Sequence, residues 1–473
     1  MADWQLPNTL AHWLTLHGLI TAVALLAYVV DARGGHTRRH PTAAIAWVLF
    51  IVLLPYLALP TFLAFGSRKL ARPPSHPAAG SEAMAGRASW IATTLAALGQ
   101  PPAASYQALQ LHADGHAARA ALLDAIDRAT VSIDVCTFAL ARDDLGQAVL
   151  SRLCAQAAAG VRVRLLVDGV GSLMVGRPHW ASLRRAGGEV ALFVPPWHSP
   201  LKGRTNLRNH RKLVVVDAAQ AHARLWCGGR NLATEYFEGA AGHPAWRDLS
   251  LDLAGPLVQQ AADLFEHDWA FAHGRAADPR AHAERSRKDR PLPASDAGAQ
   301  LVASGPDQAD DTLHALLLTA SYRARHRIAM VTPYFVPDTA LLNALCLAAR
   351  RGVAVTLLLP QRSNHRMSDL ARGRALRALA EAGAQLRLAP GMLHAKLVLV
   401  DDVLALAGSA NLDSRSLFLN YELMLAVQRQ ADVQRFADWF DTACQTAPTH
   451  RPASPGLLRD LSEGLLLWLA FQL

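Results

Sequence analysis

The sequence predicts a mixed α/β protein, in which two similar α/β halves pack with pseudo-twofold symmetry behind an N-terminal transmembrane helical hairpin. Three observations carry this prediction. Two long apolar stretches open the chain, an internal repeat follows them, and the apolar runs of the repeat are rich in Val and Leu, as in strands covered on both faces. The chain has 473 residues, of which 51% are hydrophobic, so we expect two or three domains and a membrane segment.

The two apolar stretches are Leu10–Val30 and Thr42–Phe65, and neither contains Asp, Glu, Lys or Arg. Each is long enough to cross a hydrocarbon core of about 30 Å as a helix. Pro55 and Pro60 predict a kink in the second stretch, which membrane helices tolerate. The residues before the first stretch include no basic residue, which argues against a cleaved signal peptide. We therefore expect a membrane anchor at residues 1–70; the alternative is two buried core helices.

Two segments rich in small or polar residues separate the remaining parts of the chain. The first, at 71–105, is a predicted linker with a short helix near Trp90–Leu98. The expected boundaries beyond it are a first half at 106–275, an inter-half connection at 276–298, a second half at 299–447 and a C-terminal hydrophobic tail at 448–473.

The internal repeat is the strongest signal of organisation. The run LSRLCAQAAAGVRVRLLVDGVG from Leu150 parallels LNALCLAARRGVAVTLLLPQRS from Leu342, with Cys and Gly at identical spacing. HRKLVVVD then parallels HAKLVLVD, and GGRN parallels GSAN. Each half thus alternates helix and apolar strand, with Gly ending helices before strands.

One pattern carries the chemistry: His-x-Lys-x4-Asp occurs twice, as His210, Lys212 and Asp217 and as His394, Lys396 and Asp401. Residues two apart in a strand share a face, so each pair can present an imidazole and an ammonium to one substrate. The aspartates fall on the opposite face of a regular strand, which favours a structural role for them within the catalytic motif. With 20 His and five Lys in the chain, chance gives about 0.2 His-x-Lys pairs.

Each motif is followed by a glycine-containing turn that ends in asparagine, Gly228–Asn231 and Gly408–Asn411. Small residues let backbone N–H groups approach a phosphate, and Asn adds a side-chain donor. A catalytic histidine also needs a partner on its other ring nitrogen. The repeat aligns Asp248 with Glu422, and we expect these two acids to orient the two histidines.

The five cysteines include no Cys-x-x-Cys pair, so we expect buried thiols and neither a disulfide framework nor a metal site. The formal charge of +9 favours an anionic partner, which charge alone leaves open between nucleic acid and lipid.

These motifs, carried by RNHRKLVVVD, GGRNLATEYF, AWRDLSLDL, TPYFVPD and LHAKLVLVD over nearly the whole chain, resemble the phospholipase D superfamily and, within it, the bacterial cardiolipin synthases. The resemblance implies phosphatidyl transfer from one phosphatidylglycerol to another, with release of glycerol and no cofactor or metal. It makes His210 the nucleophile that forms a phosphohistidine and His394 the general acid and base. The phosphate-binding residues that it implies are Lys212, Lys396, Asn231, Asn411 and Ser409.

Other activities on the same fold stay open. Water could resolve the same intermediate, as in a phospholipase D-type hydrolase, or another lipid or alcohol could be the acceptor. A nuclease of the superfamily is disfavoured by the apolar stretches and by the lack of an aromatic-rich basic groove. A catalytically inactive membrane scaffold is disfavoured because both motifs are intact. The expected partners are an anionic phospholipid and the bilayer, with no nucleic acid, in a multi-pass protein of the inner membrane; the oligomeric state stays open.

Overall fold

The structure is a computed structural model that describes residues 8–33, 41–65, 89–175, 180–195, 206–239, 242, 244–274, 298–308 and 310–470. It contains two α/β halves of the same topology, as the repeat predicts. The inter-half connection expected at 276–298 lies, apart from its last residue, outside the described residues.

The N-terminal region forms three helices, α1 (Asn8–Arg33), α2 (Pro41–Leu53) and α3 (Pro55–Phe65). Only α1, among the described residues, is long and apolar enough to cross a membrane, with a candidate span of 19 residues from His12 to Val30. The second apolar stretch differs from the expected single span. It divides at Leu54 because the proline after Leu54 lacks an N–H and its ring crowds the preceding turn. A helix as short as α2 spans only about 20 Å.

The first half follows a short helix, α4 (Trp90–Ala97). Its elements are β1 (Gln107–His112), α5 (Gly115–Asp127), β2 (Ser132–Thr137), α6 (Asp144–Ala158), β3 (Arg162–Asp168), α7 (Gly169–Met174), α8 (Ala181–Arg185), β4 (Glu189–Phe193), β5 (Arg208–Asn209), β6 (Leu213–Val216), β7 (Arg224–Gly228), a 3-10 turn (Thr234–Tyr236), β8 (Ser250–Ala254) and α9 (Leu257–Ala272).

The second half repeats this order with small insertions. Its elements are β9 (Ala299–Ser304), α10 (Thr312–Arg323), β10 (Arg327–Val331), β11 (Phe335–Val336), α11 (Thr339–Arg350), β12 (Ala354–Pro360), α12 (Arg366–Ala371), α13 (Gly373–Glu381), β13 (Gln385–Ala389), β14 (Leu397–Val400), β15 (Leu404–Gly408), β16 (Leu412–Asp413), α14 (Ser414–Phe418), β17 (Asn420–Val427), α15 (Gln430–Gln445) and α16 (Leu457–Ala470).

The two large sheets share one topology. The first has the strand order β1-β8-β7-β6-β2-β3-β4, and the second has β13-β12-β10-β14-β15-β17, with β9 also paired to β17. In each sheet three strands run parallel, and the strand after the motif histidine pairs antiparallel with the first of them. Each motif therefore begins at the sheet edge where the parallel strands end, which is where ligands bind in open α/β sheets.

The halves are not independent of each other. One hydrophobic core runs through both, from Leu251 and Phe265 in the first half to Leu397, Leu423 and Phe440 in the second. Strand β5 of the first half also pairs with β17 of the second and so extends the second sheet. The shared core fixes the relative position of the two sheet edges that carry the motifs.

The C-terminal tail is a helix, α16, that docks through polar contacts. Glu463 is buried and binds the Arg377 guanidinium of α13 at 2.6 Å, and Asp460 pairs with Arg374 at 3.0 Å. Gly373 lies under this contact, because a Cβ there would meet Glu463 Oε1 at 2.5 Å. Leu457 and Leu458, by contrast, remain 77% and 83% exposed.

Candidate active site

Each motif histidine is held by a backbone hydrogen bond to the opposite half. The His210 N–H donates to the Tyr421 carbonyl at 2.9 Å, and the His394 N–H donates to the Arg247 carbonyl at 2.7 Å. Tyr421 and Arg247 occupy equivalent places in the two halves, one residue before the two predicted acids. The same backbone contact thus positions both histidines: the second half holds His210, and the first half holds His394.

The side chains follow the same exchange. His210 Nδ1 lies 3.1 Å from Glu422 Oε2, and His394 Nδ1 lies 2.6 Å from Asp248 Oδ2. A carboxylate on Nδ1 holds the proton there and leaves the Nε2 lone pair for chemistry. The structure brings together both histidines and both acids that the sequence singled out. Each acid lies in the half opposite its histidine, and the repeat alone could not reveal this exchange.

The two motif lysines are buried beside their histidines. Lys212 Nζ donates to the His210 carbonyl at 2.7 Å, and Lys396 Nζ lies 2.8 Å and 2.9 Å from the two ring nitrogens of His394. Neither ammonium forms a salt bridge with an acid in the described part of the chain. Burial lowers the pKa of Lys212 to about 8 and that of Lys396 to about 7, although nearby acids, first Glu422 and first Asp248 respectively, oppose the shift.

Burial favours the neutral form of both histidines in the unliganded site. Burial lowers the pKa of His210, opposed first by the charge of Glu422. Burial and then the Lys396 charge lower the pKa of His394 to about 3, against the pull of Asp248. A neutral imidazole has the lone pair that a nucleophile needs. A phosphodiester anion entering between the two rings would raise the pKa of both, because it favours the charged form.

The motif aspartates anchor the sheet rather than touching the histidine rings. Both have left-handed backbones, with φ of 51° at Asp217 and 50° at Asp401. The Asp217 carboxylate accepts the backbone N–H groups of Thr130, Val131 and Ser132 at 2.7–2.8 Å, and Asp401 accepts the equivalent groups before β10. This arrangement agrees with the structural role that strand alternation predicts.

The predicted phosphate-binding turns differ between the halves. Asn231 donates to the Tyr236 hydroxyl at 2.8 Å, and the side-chain oxygens of Asn231 and Asn411 are buried without a hydrogen-bond partner among the described residues. Ser409 Oγ donates to Glu422 Oε2 at 2.5 Å, so its hydroxyl binds the orienting acid. In the first half Gly229 takes this place, where a Cβ would lie 2.2 Å from Asp248 Oδ1. Asp248, the shorter acid, thus packs against a glycine, whereas Glu422, the longer acid, accepts a hydrogen bond from the serine hydroxyl.

Sequence reasoning missed the aromatic rings around the histidines and one buried arginine. Phe138 meets the His210 ring edge-on at 5.3 Å, and Tyr236 and Trp246 flank His394 at 5.0 Å and 5.6 Å. Arg211 is fully buried, ion-pairs with Asp268 and donates to the Glu422 carbonyl at 3.1 Å. The sequence did contain a signal for this buried arginine. Arg211 lies between His210 and Lys212, so in an extended chain its side chain points to the opposite face, away from the substrate.

Two histidine–acid pairs and two buried lysines lie at the junction of the duplicated α/β halves, an arrangement suited to enzymes that act on phosphodiesters. Comparison with known proteins specifies the class. The family described as cardiolipin synthase with a phospholipase D-like domain matches residues 122–269 and 317–444. The chain therefore belongs to the cardiolipin synthase family and is a phosphatidyltransferase of the phospholipase D superfamily, as the motif resemblance predicts.

Individual relatives match over most of their length. Cardiolipin synthase A of Pseudomonas fluorescens (strain SBW25) is 33% identical over 91% of this chain and 90% of its own. Cardiolipin synthase A of Pseudomonas putida (strain W619) is 33% identical over 90% of each chain. The crystal structure of phosphatidylserine synthase from Haemophilus influenzae Rd KW20 has a TM-score of 0.58 and 14% identity, covering 81% of this chain and 97% of that one. This last likeness supports the fold alone.

Proposed function

We propose that the protein is a cardiolipin synthase, which joins two phosphatidylglycerol molecules and releases glycerol. The observation that carries the proposal is the pair of histidines, each oriented through Nδ1 by an acid of the opposite half. Two such rings in one site supply a nucleophile and a separate proton carrier, which is what a two-step transfer requires. The site contains a lysine beside each ring to receive the phosphate charge.

In the first step, His210 Nε2 attacks the phosphorus of one phosphatidylglycerol. An N–P bond forms as the P–O bond to the headgroup glycerol breaks. Protonated His394 gives its Nε2 proton to the departing glycerol oxygen, and glycerol leaves. His210 suits the nucleophilic role because its side chain is 14% exposed, whereas that of His394 is 5% exposed and lies closer to its acid. The negative charge of the bound substrate raises the pKa of His394, which takes up a proton from solvent before this step.

In the second step, the headgroup hydroxyl of another phosphatidylglycerol gives its proton to His394 Nε2. The oxygen attacks the phosphorus, a P–O bond forms, and the N–P bond to His210 breaks. The products are cardiolipin and the enzyme with His394 protonated, and His394 returns its proton to solvent when the product leaves. Lys212, Lys396 and the asparagine turns offset the negative charge on the non-bridging oxygens in both transition states. Asp217 and Asp401 take no part in bond changes and hold the strands that carry the motifs.

The membrane places the substrate. We propose that residues 1–70 form an anchor in the inner membrane, with both apolar stretches inserted, and that 71–105 links the anchor to the two halves at 106–275 and 299–447. The apolar surface of α1 supports this, because its candidate span is only 11% buried within the protein. Basic residues suit an anionic lipid surface. Alkaline extraction of membranes tests the anchor: the full chain stays in the pellet, and release into the supernatant would contradict insertion.

Product analysis tests the proposed reaction. Purified full-length protein in mixed micelles with phosphatidylglycerol as the lipid should give cardiolipin and glycerol in equal amounts, measured by mass spectrometry. Phosphatidic acid without cardiolipin would identify a hydrolase and overturn the proposal. If phosphatidylglycerol gives no product, phosphatidylethanolamine and small alcohols are added, and transfer to one of them alone would identify a different acceptor. Cleavage of DNA in place of lipid would identify a nuclease.

A further inference from the structure

The two sides of the active site differ in charge, although the halves repeat. Two residues before the motif histidine, the first half has Arg208 where the second has Met392. Four residues after the turn asparagine, the second half has Arg415 where the first has Glu235. Both arginines thus break the pseudo-symmetry, and the fold brings both to the His210 side.

The fold places Arg208 and Arg415 at one junction. Arg208 lies opposite Asn420 in the β5–β17 pair, and Arg415 Nη2 donates to both oxygens of Asn206 at 3.2 Å. Both side chains are half-buried and so remain reachable. The two groups are close enough that the Arg208 charge lowers the pKa of Arg415 after burial, while nearby acids, including Glu422, raise it.

Arg208 lies two residues before His210, and its strand β5 pairs with β17, the strand that carries Glu422, the acid that orients His210. Arg208 donates to the Leu207 carbonyl at 2.6 Å, and no salt bridge joins it to an acid in the described part of the chain. Its guanidinium therefore has further donors for a ligand.

Two acids lie near this pair, and other donors already occupy them. Asp168 accepts the backbone N–H groups of Val170, Gly171 and Asn209 at 2.8–3.0 Å. Asp413 accepts the N–H of Ser416 at 2.7 Å. Burial raises the pKa of each to about 6, so both are largely ionised at neutral pH, and the N–H donors offset part of their negative charge. Neither acid forms a salt bridge with Arg208 within the residues that the structure describes, so the Arg208 guanidinium can still bind an anion.

We propose that Arg208 and Arg415 form a second phosphate subsite, which binds the phosphodiester of the acceptor phospholipid while its headgroup hydroxyl attacks at His210. This inference rests on the proposed function and adds to it the means of selecting an anionic acceptor. The reacting phosphate already has the two motif lysines, so two further cations imply a second anion. Arginine forks match phosphate oxygens geometrically and bind them through charge-assisted hydrogen bonds.

The backbone of Arg208 lies close to that of His210, since Cα atoms two residues apart in an extended segment are about 6–7 Å apart. One phosphate at the histidine and one at the arginines would correspond to the two phosphates of the molecule being formed.

A partition experiment tests the subsite. Full-length protein in mixed micelles with phosphatidylglycerol and a fixed concentration of ethanol makes cardiolipin and phosphatidylethanol from the same intermediate. Ethanol carries no phosphate, so the ratio of the two products reports how well the enzyme selects the phospholipid acceptor. A defect in donor binding lowers both products equally and leaves their ratio unchanged. We expect Arg208→Gln and Arg415→Gln each to lower the cardiolipin-to-phosphatidylethanol ratio about tenfold, and Arg208→Lys to restore part of it.

The matched control is Arg387→Gln, on β13 and outside the site, whose half-buried guanidinium donates to the Cys444 and Ala447 carbonyls. Its ratio should equal that of the wild type. If Arg208→Gln makes neither product, the cardiolipin-to-phosphatidylethanol ratio is measured in Arg415→Gln and Arg208→Lys, and these two variants test the subsite. An unchanged ratio in the arginine variants that remain active would overturn the subsite. This holds even if the arginines bind free phosphate, because such binding would not select the acceptor lipid. Failure of the proposed function is distinct, because the wild type would then make no cardiolipin.

Discussion

At the residue scale, the decisive contacts cross between the halves. His210 depends on Glu422 and His394 depends on Asp248, so the four residues form one unit and not two separate motifs. We expect His210→Ala and His394→Ala each to lower turnover by about four orders of magnitude, while the circular dichroism spectrum and the melting temperature stay close to the wild type. His116→Ala, whose side chain is 75% exposed, serves as the control. Wild-type-like turnover in either active-site variant would refute the mechanism.

The motif lysines predict the alkaline side of the pH profile. The pKa of Lys396 lies at about 7 and that of Lys212 at about 8, and each ammonium loses its charge as the pH rises through its pKa. Because the charged form of each lysine stabilises the phosphate oxygens, kcat/KM should begin to fall above about pH 7 and approach a hundredfold decrease per pH unit above about pH 8. Steady-state kinetics between pH 5 and 10 measure this limb. A profile that stays flat to about pH 9.5 would show that lysine charge is not required.

Asp217 predicts a change in stability. Backbone hydrogen bonds hold its pKa at about 2, against the opposing effect of burial. A depressed pKa stabilises the fold above the unfolded value near 3.8 and loses this effect as the pH falls through 2. Asp217→Asn keeps a residue that tolerates positive φ and removes the charge. We expect a loss of about 2 kcal/mol in the free energy of unfolding, measured by urea denaturation at pH 7. The control, Asp402→Asn on the exposed turn of the second half, should change it by less than about 0.5 kcal/mol.

At the element scale, local sequence signals predicted most of the fold. The strands after each motif histidine are short Val and Leu runs, and the structure has them at Leu213–Val216 and Leu397–Val400. Where the structure differs, a single residue explains it: Pro55 divides the second apolar stretch, and composition averaged over the stretch conceals that break. The docking of α16 through Glu463 could not be predicted either, because its arginine partner lies 86 residues away in the chain.

That docking gives an element-scale prediction. Glu463→Gln removes the buried charge that pairs with Arg377 and leaves this half-buried arginine only its longer pair with Asp460 at 3.6 Å, which costs more than the loss of an exposed pair would. We expect the tail helix to detach, so that limited proteolysis cuts near 450–456 at least about tenfold faster than in the wild type. Asp460→Asn, at a half-exposed pair, should change the cleavage rate about twofold or less. Equal rates in Glu463→Gln and the wild type would show that apolar contacts alone hold the helix.

At the scale of the whole molecule, duplication explains both what the sequence could predict and what it could not. The motifs, the acids and the turn asparagines were predictable because each appears twice at matching places. The exchange of acids, the buried Arg211 and the Ser409–Glu422 contact depend on how the two halves pack, and no periodicity encodes packing between distant segments. Small departures from the repeat, such as glycine against Asp248 and serine against Glu422, then allow two similar histidines to differ in role.

Trapping the intermediate tests the central claim, that the two histidines share one site but have different roles. The protein with His394→Asn is mixed with phosphatidyl-p-nitrophenol, whose leaving group needs no proton. The reaction is quenched without acid, because acid hydrolyses the bond between phosphorus and histidine. Peptide mass spectrometry should find the phosphatidyl adduct on the peptide that contains His210, and His210→Asn should carry none. No adduct on His210, with p-nitrophenol still released by the His394→Asn protein, would contradict a covalent mechanism at this residue.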